Sequence, residues 1–153
     1  MKFIITKELG RLCKWLRIMG FDASYFPDAE RRELIIKSLR DNRIILTRDS
    51  KMSVYSGIRV LHIKSDFVED QVRQVLNELK IKPDRSRFFT VCVICNQPLK
   101  SVTKAAVKEK VPPYVYETQA SFMKCETCDR IYWQGTHWAN VMEFIDKLNL
   151  NDK

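Results

Sequence analysis

Two stretches with the same spacing, Cys92-Val-Ile-Cys95 and Cys125-Glu-Thr-Cys128, decide how the second half of this chain is built. Each is a pair of cysteines separated by two residues and is called a cysteine hook below. Two hooks supply four thiolates, the number that closes a tetrahedral structural site around one Zn²⁺. Disulfides, or buried thiols with no common ligand, are the alternative. We interpret Cys92, Cys95, Cys125 and Cys128 as zinc ligands that hold the fold together.

Upstream of the hooks, strand patterns alternate with helix patterns. Short apolar runs predict strands at 3–5, 23–26, 44–47 and 59–63, and apolar residues at helical spacing predict helices at 9–19, 30–41 and 67–79. Gly20 is a natural stop for the first helix. Strands that alternate with helices favour a parallel sheet with right-handed crossovers. The predicted fold class is therefore α/β.

The segment after the third predicted helix is polar and contains a proline, as linkers do. We predict an α/β domain at 1–82, a linker at 83–87 and a zinc-binding module with a C-terminal helix at 88–153. Within that module the pattern predicts a short helix at 102–110, a turn at 112–114 and a final helix at 138–150.

The positive charge of the chain is unevenly distributed. Of the 153 residues, 1–87 hold 19 Lys and Arg against 12 Asp and Glu, whereas 88–153 hold 8 against 7. Arg11, Lys14 and Arg17 recur three apart on the first predicted helix, and Arg48 could extend this stripe. Such a face could bind a polyanion, although a merely solvated basic surface is the alternative. We predict that these four residues contact nucleic acid.

Acidic residues follow three of the predicted strands. Asp28, Asp49 and Asp66 each lie just beyond a strand end, where an open α/β sheet presents its ligands. Carboxylates gathered at one edge could hold Mg²⁺ or Mn²⁺ and support metal-assisted hydrolysis of a phosphodiester. Aspartates at strand ends are also common as helix N-caps, so both roles stay open.

No apolar run approaches the length of about 20 residues that spans a membrane. The apolar stretch near the N-terminus is too short for a signal peptide, and zinc-binding thiolates suit a reducing compartment. We expect a cytoplasmic protein that does not bind a membrane.

Longer motifs identify a family. Beside the hooks stand Val111-Pro-Pro-Tyr-Val-Tyr-Glu-Thr118 and Arg130-Ile-Tyr-Trp-Gln-Gly-Thr-His-Trp138, and upstream stand Leu9-Gly-Arg-Leu-Cys-Lys-Trp-Leu-Arg17 and Ile44-Ile-Leu-Thr-Arg-Asp49. In these motifs nearly the whole chain resembles the Mut-seven C-terminal RNase domain family. The resemblance implies a PIN-like parallel-sheet domain, then a small zinc ribbon and a C-terminal helix.

The resemblance also implies a metal-dependent ribonuclease whose acidic residues meet at the strand ends. Asp49 matches one such acid, and Asp28 and Asp66 stand where family members often carry acids. The first acid falls on Thr6, and another falls on Arg31 or Arg32. A hydroxyl is a poorer ligand for a divalent cation than a carboxylate, and a guanidinium repels that cation and attracts phosphate. Nearby glutamates that could substitute for these acids are Glu8, Glu30 and Glu33.

Three hypotheses about function are consistent with the sequence. The favoured one is a protein that binds RNA or a ribonucleoprotein through its basic N-terminal half and has a partly degenerate acidic site. The second is an active endoribonuclease that uses Mg²⁺ or Mn²⁺. The third is a protein-interaction module that docks a partner on ribbon aromatics such as Trp133 and Trp138.

Overall fold

In a computed structural model, which describes residues 1–28, 30–52 and 57–148, the chain divides into two compact units. The first comprises Met1–Asn96, and the second comprises the described residues from Gln97 onward. Across the described residues, no helix has the length and apolar character needed to cross a membrane. The domain boundary that the sequence places at 83–87 stays a prediction.

The first unit is a parallel sheet with helical crossovers. Its elements are β1 (Lys2–Thr6), α1 (Gly10–Ile18), β2 (Asp22–Phe26), α2 (Arg31–Asp41), β3 (Ile44–Thr47), β4 (Arg59–His62) and α3 (Val68–Glu78). The strand order is β2-β1-β3-β4, and every neighbouring pair is parallel. The α/β class and the parallel sheet are thus confirmed. A 3-10 turn, Lys7–Leu9, joins β1 to α1.

The two central strands carry the core of this unit. Phe3, Ile4 and Ile5 of β1 are buried, as is every residue of β3. Continuous apolar strands are expected where helices cover both faces of a parallel sheet. Burial of each such side chain contributes about 1.5–3 kcal/mol, so β1 and β3 hold the strand ends firmly in place.

Gly20 ends α1, as its position in the sequence predicts. Its φ is +89°, a backbone conformation that glycine adopts without a steric penalty. A Cβ at this position would also lie 2.3 Å from the carbonyl oxygen of Arg87. Gly20 therefore allows the segment that leads to the first hook to lie directly against the end of α1.

The second unit is a small antiparallel sheet with helices. Its elements are β5 (Lys100–Val102), α4 (Pro113–Thr118), β6 (Phe122–Lys124), β7 (Ile131–Tyr132) and α5 (Thr136–Lys147). The strand order is β5-β6-β7, and Val107, Val111, Val115 and Phe122 form the core. The C-terminal helix is confirmed as far as Lys147, and the last residues of the prediction, 149–150, lie outside the described residues.

Two local predictions for this unit are wrong. The helix predicted at 102–110 is a strand end followed by one 3-10 turn, Ala105–Val107, because Val102 pairs with Phe122 in the sheet. Sheet pairing here overrides local helical spacing. The turn predicted at 112–114 instead opens α4, with Pro113 at the first helical position, where its missing N–H costs nothing.

Candidate functional site

A cleft of about 230 Å³ opens at the carboxyl ends of β1, β2 and β3. Its polar lining includes Thr6, Glu8, Asp28, Glu30, Arg31 and Asp49. From β1 the chain continues to β2, which lies on one side of β1, and from β2 it crosses to β3, which lies on the other side. The two connections therefore run in opposite directions at the cleft. This is the position at which open parallel sheets bind their ligands.

Glu8 is the central carboxylate of the cleft. Its Oε1 accepts hydrogen bonds from Thr6 Oγ1 at 2.6 Å, from the Arg48 backbone N–H at 3.1 Å and from Thr47 Oγ1 at 3.3 Å. Desolvation raises the pKa of Glu8, but these bonds together with one from its own backbone N–H outweigh it and lower the pKa. Thr6 presents a hydroxyl at the end of β1, and Glu8 brings a charged carboxylate to the same strand end.

Asp49 forms an ion pair with Arg31. One carboxylate oxygen accepts from Arg31 Nη2 at 2.6 Å, and the other accepts from the backbone N–H of Lys51 at 2.9 Å. The Lys51 hydrogen bond is the main cause that lowers the pKa of Asp49, and the Arg31 charge adds to it. The predicted metal-binding acid is therefore ionised but already neutralised by a guanidinium.

Asp66 does not line the cleft. It is 80% exposed, and its carboxylate pairs with the guanidinium of Arg48. The backbone of Arg48 is held on both sides, since its N–H donates to Glu8 and its carbonyl accepts from His62 Nε2 at 2.9 Å. His62 thus anchors the loop after β3. The predicted catalytic role of Asp66 and the predicted nucleic-acid contact of Arg48 stay predictions.

The remaining acids of the cleft are exposed. Asp28 and Glu30 line it, whereas Glu33 lies on α2 outside its lining. Within the ranges 1–28, 30–52 and 57–148, the four cysteines are the one group of three or more Cys, His, Asp or Glu side chains close enough to share a metal ion. The cleft brings Asp28 and Asp49 to one lining but does not assemble them with a third carboxylate into such a group.

The two cysteine hooks have the same backbone geometry. The N–H of Asn96 donates to the Cys92 carbonyl at 2.9 Å, and the N–H of Asp129 donates to the Cys125 carbonyl at 2.8 Å. Asn96 and Asp129 have φ of 59° and 62°, in the left-handed region that Asn and Asp tolerate best among residues with a side chain. Each hook therefore needs a residue of this type directly after its second cysteine.

The four sulfur atoms fit a zinc ion. None of these four cysteines forms a disulfide, and their Sγ atoms lie within 4.8 Å of one another. Zinc–sulfur bonds of about 2.3 Å in a tetrahedron require sulfur separations of about 3.8 Å. Cys92 and Cys125 are fully buried, which suits a closed structural site. When bound, Zn²⁺ would cross-link the two hooks.

Arg17 and Asn96 attach the first hook to the α/β unit. Arg17 is 9% exposed, and its guanidinium donates to the carbonyls of Ala23, Val93 and Ile94 at 2.9, 2.9 and 3.1 Å. The Asn96 side chain accepts from the Ala23 N–H and donates to Asp22. Arg17 thus holds the hook, so a bound phosphate would have to compete with three carbonyls for its guanidinium.

Arg11 and Lys14 differ from Arg17. Both are exposed on α1, one helical turn apart, and neither forms an ion pair with any residue of the described ranges. Their predicted role in nucleic-acid binding stays a prediction. In the second unit, the ring of Trp133 packs against Phe122 with 6.5 Å between centroids.

The parallel sheet, the cleft at its strand ends and the four-cysteine cluster define an α/β domain followed by a small antiparallel sheet with a possible metal site. A family model described as the Mut7-C RNAse domain matches residues 1–145. The chain belongs to the Mut7-C RNAse domain family. Comparison with curated proteins and with solved structures returned no match.

Sequence reasoning missed the roles of Glu8, Arg17 and Asn96. In the sequence, Glu8 is one of three glutamates that could substitute for the missing acids. Nothing in its spacing indicates that it faces Thr6 and Thr47. Helical spacing groups Arg17 with Arg11, although Arg17 is buried and Arg11 is exposed. The one available signal was the Asn directly after a hook, which is typical of a left-handed turn.

Proposed function

We propose that this chain binds RNA through its first unit and does not use the strand-end cleft to hold a catalytic Mg²⁺ or Mn²⁺. The ion pair between Arg31 and Asp49 carries this proposal. A guanidinium 2.6 Å from the aspartate satisfies its charge, and a divalent cation would have to displace it. Family membership supports RNA as the ligand, and the basic excess of residues 1–87 supports an electrostatic mode of binding.

The chemistry of the cleft agrees with this proposal. Arg31 is positioned by the first turn of α2, and Thr6 presents a neutral hydroxyl where the family resemblance implies an acid. Hydrolysis by a metal-bound water needs ligands that fix the cation beside the scissile phosphate. Asp49 is paired with an arginine and does not belong to a described group of three or more ligands that could fix such a cation. The ribonuclease ancestry would then survive as an RNA-binding fold with a zinc-stabilised module.

A second candidate, an active endoribonuclease, is favoured by the position of Glu8. Its charged carboxylate lies at the ends of β1 and β3 in the same cleft as Asp49 and Asp28. If RNA binding displaced Arg31 towards a phosphate, Glu8 and Asp49 would be free to share a cation.

The protein-interaction hypothesis stays a prediction, as does the cytoplasmic location.

The test uses the full-length protein and labelled RNA. Affinity is measured by fluorescence anisotropy at several salt concentrations without added divalent cations, and cleavage is measured with Mg²⁺ and with Mn²⁺. We expect affinity that falls steeply with salt, since phosphate contacts release counterions, and no metal-dependent cleavage. Absence of RNA binding would favour the protein-interaction hypothesis.

Metal-dependent cleavage that Asp49→Ala abolishes would overturn the non-catalytic proposal in favour of the endoribonuclease. The matched control is Asp41→Ala, which removes another half-buried, arginine-paired aspartate outside the cleft. Cleavage that survives in Asp49→Ala and Asp41→Ala alike would come from a contaminating nuclease.

A further inference from the structure

A second concave surface of the first unit lies between α1, the end of β2 and the first cysteine hook. It encloses about 390 Å³. We call it the α1 groove and define it by Arg11, Lys14, Arg17, Tyr25 and Ile94. The Val93–Ile94 wall of the groove is the segment between Cys92 and Cys95, held in place by Arg17.

The side chains that line the α1 groove are positively charged. Three cationic side chains line it, and no carboxylate of a described residue does. Elsewhere in the first unit arginines are commonly paired with aspartates, as Arg31, Arg40, Arg43, Arg48 and Arg73 are. Arg11 and Lys14 are exposed and form no ion pair with a described residue. Their charge is therefore available to an anion from outside.

The groove also presents apolar surface. Tyr25 is 41% exposed and Ile94 is 51% exposed. The Tyr25 hydroxyl donates to the Lys7 carbonyl at 2.9 Å, which restrains the ring. A restrained aromatic ring beside unpaired cations is the combination that binds single-stranded nucleic acid, by base stacking and phosphate contact together.

The groove adjoins the cleft. Lys7 lines the cleft and accepts the hydrogen bond from Tyr25, which lines the groove. One continuous strand could therefore pass from the groove towards the strand ends. A duplex would keep its bases stacked inside and could not offer one to Tyr25.

We propose that the α1 groove binds single-stranded RNA, with phosphates on Arg11 and Lys14 and a base stacked on Tyr25. This inference rests on the proposed RNA binding and adds its location and the strandedness of the ligand. Arg17 acts here as a positioning residue, because it fixes the Val93–Ile94 wall.

The experiment measures anisotropy of a labelled oligouridylate with the full-length protein across a range of salt concentrations. In Arg11→Gln/Lys14→Gln the slope of log affinity against log salt should fall by about 1.4, since each phosphate contact on a single strand contributes about 0.7. The matched control, Arg59→Gln/Lys64→Gln, removes the same charge near β4, at the sheet edge opposite β2, and should keep the wild-type slope.

A second pair of variants tests stacking. Tyr25→Leu should weaken binding about tenfold, which is the effect expected from loss of one base–aromatic stack. Tyr25→Phe keeps the ring, loses only the hydrogen bond to Lys7 and should bind nearly as tightly as wild type. Unlabelled duplex RNA should compete poorly with the labelled single strand.

The outcomes separate this inference from the proposed function. If wild type binds RNA and the groove variants match both wild type and the control, the groove is excluded while RNA binding stands. If duplex RNA competes as well as single-stranded RNA, the assignment to single strands is wrong. If wild type binds no RNA, both proposals fail.

Discussion

The strand-end cleft and the α1 groove belong to the same basic unit. Several charged groups of the cleft are held by neighbouring groups, whereas the groove is lined by cations. In the cleft, Arg31 neutralises Asp49, and the carboxylate of Glu8 is held by hydroxyl and backbone donors. In the groove, Arg11 and Lys14 have no carboxylate of a described residue beside them. An excess of positive charge therefore does not itself locate a polyanion site. The proposed site lies where the described residues leave cations without internal partners.

The comparison also separates rigid from adjustable parts. The cleft is built on strand ends whose residues are buried, such as Thr47, whereas one wall of the groove is a cysteine hook. The wall depends on the hook geometry and on Arg17. Perturbing the hook should therefore change the groove while leaving the cleft intact, and the variants below use this difference.

The largest effect is expected from Cys92→Ser. Zinc content should fall from about one ion per chain to near zero, because a structural zinc site loses most of its affinity with one thiolate. Thermal stability should fall strongly, since a zinc-binding free energy of about 10 kcal/mol or more is also folding free energy. Metal analysis and thermal unfolding measure the two effects.

Cys13→Ala is the matched control for the cysteine variant. Cys13 is buried on α1, burial raises the pKa of its thiol, and it is not a member of the four-cysteine group. The control should retain its zinc. Full zinc content in Cys92→Ser would refute the assignment of that ligand.

A smaller loss is expected from Arg17→Ala. One buried and two part-buried carbonyls lose a charged donor, and we expect the free energy of unfolding to fall by about 3 kcal/mol. Urea unfolding measures it, and Lys14→Ala on the exposed face of the same helix should change stability little. Equal effects of the two variants would show that Arg17 does not hold the groove wall.

The pH dependence tests the cleft. Because the folded state lowers the pKa of Glu8, its contribution to stability is present above the unfolded pKa of about 4.3 and is lost as pH falls through the lower folded value. Glu8→Gln should therefore flatten the fall in stability between about pH 5 and pH 3. Urea midpoints across this range measure it.

Glu33→Gln is the control for the pH experiment, because Glu33 is an exposed glutamate outside the cleft lining. Its pH dependence should match that of wild type. A Glu8→Gln curve that also coincides with wild type would contradict the hydrogen-bonded arrangement at the end of β1.

The smallest effect on stability is expected from Arg31→Gln, because the pair with Asp49 is largely exposed. Its effect on metal binding should be larger. With the guanidinium gone, Asp49 can offer its carboxylate beside Glu8, and Mn²⁺ binding followed by calorimetry should become detectable. Arg32→Gln, next to it on α2, is the control. If neither variant binds Mn²⁺, Arg31 is not what keeps the cation out.

Much of the fold was predictable because apolar periodicity reports directly on strands and helices. The alternation of short apolar runs with amphipathic segments predicted the parallel sheet, and the stop at Gly20 matches a residue with positive φ. The helix prediction at 102–110 is wrong because Val102 pairs with Phe122 in the sheet. Its neighbours in sequence do not reveal this pairing. In a small unit, the structure of a short segment depends strongly on such pairing with residues distant in sequence.

By itself, the sequence determined the family, the α/β order and the four cysteines, because motif spacing and periodicity are properties of the chain alone. Only the tertiary structure decided which charges are paired. Arg31 and Asp49 are eighteen positions apart in sequence, and Arg17 and Val93 seventy-six, yet each pair is joined by a hydrogen bond. Arg11 and Arg17 look equivalent in sequence. Arg17 is buried and holds the first hook, whereas Arg11 is exposed and can contact a ligand. Charge in a sequence can be counted, whereas its availability depends on which groups the fold places beside it.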